Sequence, residues 1–146
     1  MLQVLQIIAT LAATLFAGAA LYINVAEHPA RMILETRTAV LQWAPSYKRA
    51  TLLQAPLAML SLVSGTAAWL LGASTGWFVA ALIIGIVVPF TLVVVMPTNR
   101  RLLDPARDLA SAETRLLLEK WNKLHAVRTI LSLIASILYL WLLHAA

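Results

Sequence analysis

The stretch 51-TLLQAPLAMLSLVSGTAAWLLGASTGWFVAALIIGIVVPFTLVVVMPTN-99 contains no Asp, Glu, Lys or Arg. Soluble domains carry roughly a quarter charged residues, spread over their exposed faces. This run is long enough for two membrane spans of roughly 20 residues each. Gly72, Ala73, Ser74, Thr75 and Gly76 supply the turn between them. Residues 1–26 and 129–146 are also free of these four residue types. The chain of 146 residues is 62% hydrophobic and only 12% charged, with a mean hydropathy of +0.87. The reading is an all-α integral membrane protein: one domain over 1–146, a bundle of four transmembrane helices at about 2–26, 51–71, 77–96 and 111–144. The absence of cysteine excludes disulfides and thiolate metal sites. The first apolar run has no basic residues ahead of it and is longer than a signal-peptide core, so it reads as a retained helix.

The eleven Lys and Arg residues give an orientation. Arg31, Arg37, Lys48 and Arg49 lie between the first two helices. Arg100, Arg101, Arg107, Arg115, Lys120, Lys123 and Arg128 lie between the last two or at their membrane edge. With four spans both groups share one face. The positive-inside rule makes that face cytoplasmic and both termini periplasmic, in a bacterial inner membrane. Such a face attracts anionic lipid headgroups. Its loops are too short and amphipathic for a nucleic-acid module. An oligomer is compatible with this arrangement.

The first connection reads as an interfacial helix. Pro29 suits a helix start, Arg31 and Glu35 are spaced for an i,i+4 pair, and Pro45 is expected to end it. Pro97 is expected to close the third helix. Asp104-Pro105 and Ser111 are candidate helix starts. Ser61, Gly65 and Ala68 form a small-residue packing face.

Three polar clusters fall at the same cytoplasmic-side depth. In 21-LYINVAEHPARM-32, Asn24, Glu27, His28 and Arg31 share one helical face, although Pro29 predicts a break at His28. In 119-EKWNKLHAVR-128, Trp121, His125 and Arg128 share a face, with Glu119 and Asn122 pointing elsewhere. In 96-MPTNRRLL-103, Asn99 sits at the exit of the third helix. Gln54 lies near the start of the second helix, at the same level. Ionisable groups near a membrane usually face the bundle interior and have partners or function. The bland reading makes Trp121 and Arg128 interfacial anchors and Glu27–Arg128 a structural ion pair.

"YINVAEHPAR", "MPTNRRL" and "WNKLHAVRT", in this order on four helices, resemble the bacterial branch of the anthrone oxygenase-like membrane proteins. The resemblance spans nearly the whole chain. Its motif positions are Glu27, His28, Pro29, Asn99, Trp121, His125 and Arg128. Fungal relatives oxidise anthrones to anthraquinones with dioxygen, which implies a planar, lipophilic, phenolic substrate. Some of them carry Asn at the position of His125.

Two mechanisms fit these residues. In one, His28, His125 and a carboxylate, Glu27 in preference to Glu119, bind a transition metal, iron or copper; haem held by two histidines is a weaker variant. In the other, His125 or Glu27 removes a proton from an acidic carbon, and Arg128 with Asn99 stabilises the anion. Trp121 stacks on the substrate, with Asn24 and Gln54 as further contacts. The rival class is a non-catalytic scaffold, accessory subunit or lipid-binding protein. It predicts a closed interior with the polar groups paired among themselves.

Overall fold

The computed structural model describes residues 1–145. Four helices are long and apolar enough to cross a membrane: α1 (Leu2–Arg31), α2 (Thr36–Leu70), α3 (Thr75–Leu102) and α4 (Ala112–His144). The described residues contain no strand. Helix α1 packs on α2 and α4, and α3 packs on the same two. The short connections make neighbouring helices antiparallel, which gives an up-down-up-down bundle. Gly72 turns the chain between α2 and α3 at φ +99°, a conformation that disfavours a side chain.

Lipid-facing helices gain little from hydrophobic burial, so close packing of small residues takes its place. Ala9, Ala13, Ala17 and Ala20 form a buried stripe on α1. The expected small face of α2 is buried too, with Ser61 donating to the Ala9 carbonyl across the interface at 2.9 Å. Branched aliphatic side chains are left on the outside: Val4, Leu11, Leu15, Leu52, Val63, Val93 and Ile137 are all exposed. Three packed layers succeed one another along the bundle axis. The layer on the basic side is the most aromatic and contains Trp43, Trp121 and Leu118.

The prolines behave differently from expectation. Helix α1 does not break at His28. It widens into a π-turn over Ile23–Glu27, where the His28 N–H reaches back five residues to the Ile23 carbonyl. Pro29 has no N–H and its ring crowds the carbonyl of residue 25; the wider turn relieves both, and the helix continues to Arg31. Pro97 likewise does not close α3. A second π-turn, Thr91–Val95, precedes it at the same spacing, and the helix continues to Leu102. The expected interfacial helix is the first part of α2, which runs through Pro45 and Pro56 without interruption. Trp43, Ala39 and Val40 are buried in the bundle, so this segment does not lie flat on the surface. At roughly 1.5 Å per residue α2 is about 50 Å long, well beyond the roughly 30 Å of a bilayer core. Arg31 and Glu35 do not pair, because the helix ends between them and the Glu35 carboxylate accepts instead from the Thr38 hydroxyl at 2.9 Å, at the start of α2. Ser111 begins α4, accepting from the Thr114 N–H at 3.2 Å, while no helix starts at Asp104-Pro105.

Candidate functional site

His125 lies on α4 at the crossing of two inward-facing stripes, buried except for the half-buried Asn122. Trp121, His125 and Arg128 form one, as the spacing predicts. Asn122, His125 and Thr129 form the other, towards α1. There Asn24 Nδ2 donates to Asn122 Oδ1 at 2.7 Å and to its main-chain carbonyl at 3.1 Å. A carbonyl only accepts, so the orientation of the Asn24 amide is fixed. Its Oδ1 then accepts from Thr129 at 2.5 Å and from His125 Nδ1 at 2.8 Å. His125 therefore carries a proton on Nδ1, and in the neutral imidazole Nε2 holds the lone pair. Asn122 thus points at the site rather than elsewhere. Asn122 and Thr129 are site residues that the sequence motifs do not single out.

His28 takes the opposite tautomer. Arg31 donates to His28 Nδ1 at 3.1 Å, which leaves the proton on Nε2. The two imidazoles come together across one indole: His28 and His125 lie 5.4 and 4.9 Å, centroid to centroid, from Trp121. Trp121 also meets Trp43 edge-on at 5.8 Å, and Trp43 stacks on Tyr47 at 5.1 Å. Trp121 is thus a buried part of an aromatic core as well as a candidate substrate contact.

Glu27 does not pair with Arg128. Its carboxylate accepts from Arg31, one turn on, and from Ser46 of α2. Arg31 also donates to Gln42 and is almost fully buried, which makes it the hub that ties α1 to α2. The expected metal set is not assembled. Among the described residues no three His, Cys, Asp or Glu side chains gather to hold an ion. The physical reasons are local: Glu27 is neutralised by Arg31, a guanidinium faces one nitrogen of His28, and Nδ1 of His125 donates to Asn24. A haem between the imidazoles would need the space that the Trp121 indole fills.

Arg128 is a cation only 8% exposed. Its NH2 group donates to Gln54 Oε1 at 2.7 Å, and the guanidinium sits 5.5 Å above the Phe16 ring. Among the described residues no carboxylate lies within 4.0 Å of it. A buried charge without a counter-ion costs several kcal/mol (order of magnitude). It borders two adjoining cavities. The outer one, of about 130 Å³, lies between α2 and α3 and is lined by apolar residues such as Ala58, Val87 and Met96, with Arg128 its one charged group. Thr51, Ala55 and Leu92 at its rim are exposed on the lipid side. The inner one, of about 10 Å³, is lined by Trp43, Gln54, Trp121, His125 and Arg128 among others. Both π-turns border this system, Ile23 the inner part and Thr91 the outer; such turns are frequent at functional sites.

Asn99 is placed differently. It is fully buried, with neither amide atom paired, yet it lines neither cavity. Gln54 holds the position beside Arg128 that the motif reading gives to Asn99. Trp43 escapes sequence reasoning because its segment has the pattern of a helix lying on the membrane surface.

A family model described as anthrone oxygenase matches residues 43–138. The match takes in Trp43, Gln54, Asn99, Trp121, His125 and Arg128, and leaves out α1. No curated protein and no solved structure matches the sequence. The chain belongs to the anthrone oxygenase family.

Proposed function

We propose that the protein is a membrane oxygenase acting on a lipophilic carbon acid, a molecule whose C–H proton is acidified by a conjugated carbonyl or phenol. The observation that carries this reading is a buried, counter-ion-free Arg128 beside the His125 imidazole, at the end of an apolar cavity open towards lipid. An anionic ligand would supply the missing counter-charge. The scaffold reading expects its polar groups paired and its interior closed; seven buried side-chain nitrogen and oxygen atoms without a partner and two cavities speak against it.

In this reading His125 Nε2 removes the proton from the acidic carbon. General-base catalysis of this kind contributes roughly 10²–10⁴-fold. The electron pair moves onto the conjugated oxygen, where Arg128 and Gln54 stabilise it. The carbanion passes one electron to dioxygen, and the radical pair combines into a peroxide anion, which takes back the proton from His125 Nε2 and becomes a hydroperoxide. Loss of the second proton from the same carbon breaks the O–O bond. One oxygen atom ends as the new carbonyl and the other leaves as water. The substrate supplies all four electrons, so no separate reductant enters.

The basic face is cytoplasmic and both termini periplasmic, in the inner membrane, by the same reading; the charge asymmetry of the connections supports it. Oxygen uptake by detergent-purified protein given anthrone tests the activity. One dioxygen consumed per quinone formed, faster than in empty micelles, is the expected result. A rate equal to that of empty micelles retires the reading.

A further inference from the structure

The inner pocket has an unusual chemical bias. Four of the side chains lining it carry a buried N–H with no acceptor: Trp43 Nε1, Gln54 Nε2, Trp121 Nε1 and Arg128 Nε. Buried polar groups are nearly always paired, so four orphaned donors around one pocket point to a shared acceptor. No Asp or Glu lines the pocket. The Gln54 carbonyl is already taken by Arg128. His125 offers only Nε2 as an acceptor, because its Nδ1 carries the proton given to Asn24.

Size narrows the ligand further. At about 10 Å³ the inner pocket has room for a single water-sized group. A carboxylate or phosphate brings two or more oxygens, of which that volume takes only one. The outer cavity shares Tyr47, Thr51 and Arg128 with the inner pocket and is otherwise largely apolar, so it suits the rest of the molecule.

We infer that the inner pocket is a socket for one anionic oxygen, held by the N–H groups of Trp43, Trp121, Gln54 and Arg128, and that the protein binds its ligand in the ionised rather than the neutral form. This rests on reading the cavity as a substrate site. Trp43 becomes a specificity residue by this inference, through its indole N–H. The four donors select the charge state, and the apolar cavity selects the ring. A neutral ether of the same shape loses the charge-assisted bonds, which are roughly twice as strong as neutral ones.

The test needs no turnover. Detergent-purified protein is titrated with β-naphthol, β-methoxynaphthalene and β-naphthoate, following the absorption of the naphtholate. Bound naphthol should ionise at a pH at least one unit below that of naphthol in empty micelles. The methyl ether and the carboxylate should each bind at least tenfold more weakly. Trp43→Phe keeps an aromatic ring and removes the N–H, and should weaken naphtholate binding about tenfold, with no change for the methyl ether. Gln54→Leu should do the same. An unchanged or raised naphthol pKa, equal binding of the ether, or preference for the carboxylate overturns the inference, and these wild-type arms decide it even if a variant fails to fold. Tight naphtholate binding without oxygen uptake keeps the socket and retires the oxygenase reading. Oxygen uptake without preference for the anion does the reverse.

Discussion

His125 Nδ1 donates to Asn24 Oδ1 at 2.8 Å, joining α4 to α1 across the bundle. This bond fixes which imidazole nitrogen is left for the proposed proton transfer. Asn24 is a positioning residue in this account. Asn24→Ala removes the acceptor and frees the tautomer, so kcat should fall about ten- to a hundredfold, the equivalent of one buried hydrogen bond. KM should move less. Asn24→Asp keeps an acceptor at the same place and should recover part of kcat. Steady-state oxygen uptake at varied substrate concentration separates the two parameters, and equal loss in both variants would contradict the tautomer role.

Arg128→Lys tests whether the guanidinium binds or merely anchors. Lys keeps the charge but cannot hold Gln54 and still direct a second planar N–H into the pocket. Turnover and affinity for an anionic ligand should fall about ten- to a hundredfold, by about 1.5–3 kcal/mol. Expression and membrane insertion should be unchanged. Arg37, exposed on α2, serves as the control as Arg37→Lys. Arg115 does not suit that purpose, because it holds the Met32 and Leu34 carbonyls at the end of α1. Full activity in Arg128→Lys removes Arg128 from the site.

Packing far from the cavity can be probed by itself. A Cβ on Gly65 would collide with the Tyr139 hydroxyl and stand 3.0 Å from Ala81 Cβ. Tyr139 is fully buried, so it has little room to retreat. Gly65→Ala should cost about 1–3 kcal/mol and lower the Tm in detergent. Adding Tyr139→Phe removes the clashing oxygen and should recover part of the loss. An unchanged Tm in Gly65→Ala would show that α2 and α4 are less tightly packed than this structure has them.

Topology is checked with fusion reporters at residue 1, in the 72–76 turn and at residue 146. All three should score as external. An internal score in the turn overturns the proposed orientation.

The four spans are legible in the sequence because charge is excluded from the lipid-facing residues, and composition alone carries that signal. The α4 stripe of Trp121, His125 and Arg128 is legible because α4 has no Gly or Pro to disturb its period. The α1 cluster is only half legible. Its π-turn adds a residue to one turn and rotates the rest of the helix, so Asn24 faces α4 while Glu27 and Arg31 face α2. An unbroken 3.6-residue period puts them on one face. Pro29 and Pro97 signal the disturbance, but a proline does not tell whether the helix will stop or widen. Trp43 and Gln42 are hidden for a different reason. An amphipathic segment with a proline reads the same whether it lies on a membrane or enters a bundle, and only the packing against Trp121 distinguishes the two.

In the proposed mechanism His125 Nε2 takes a proton from carbon, and solvent exchange measures that step without dioxygen. Purified protein is mixed anaerobically with anthrone in deuterated buffer, and deuterium entering the acidic methylene is monitored by mass spectrometry. Exchange should run well above that in empty micelles for the wild type, with a roughly 10²–10⁴-fold loss of the enhancement in His125→Ala and naphtholate binding retained. Exchange no faster than in micelles, or undiminished in His125→Ala, would contradict it.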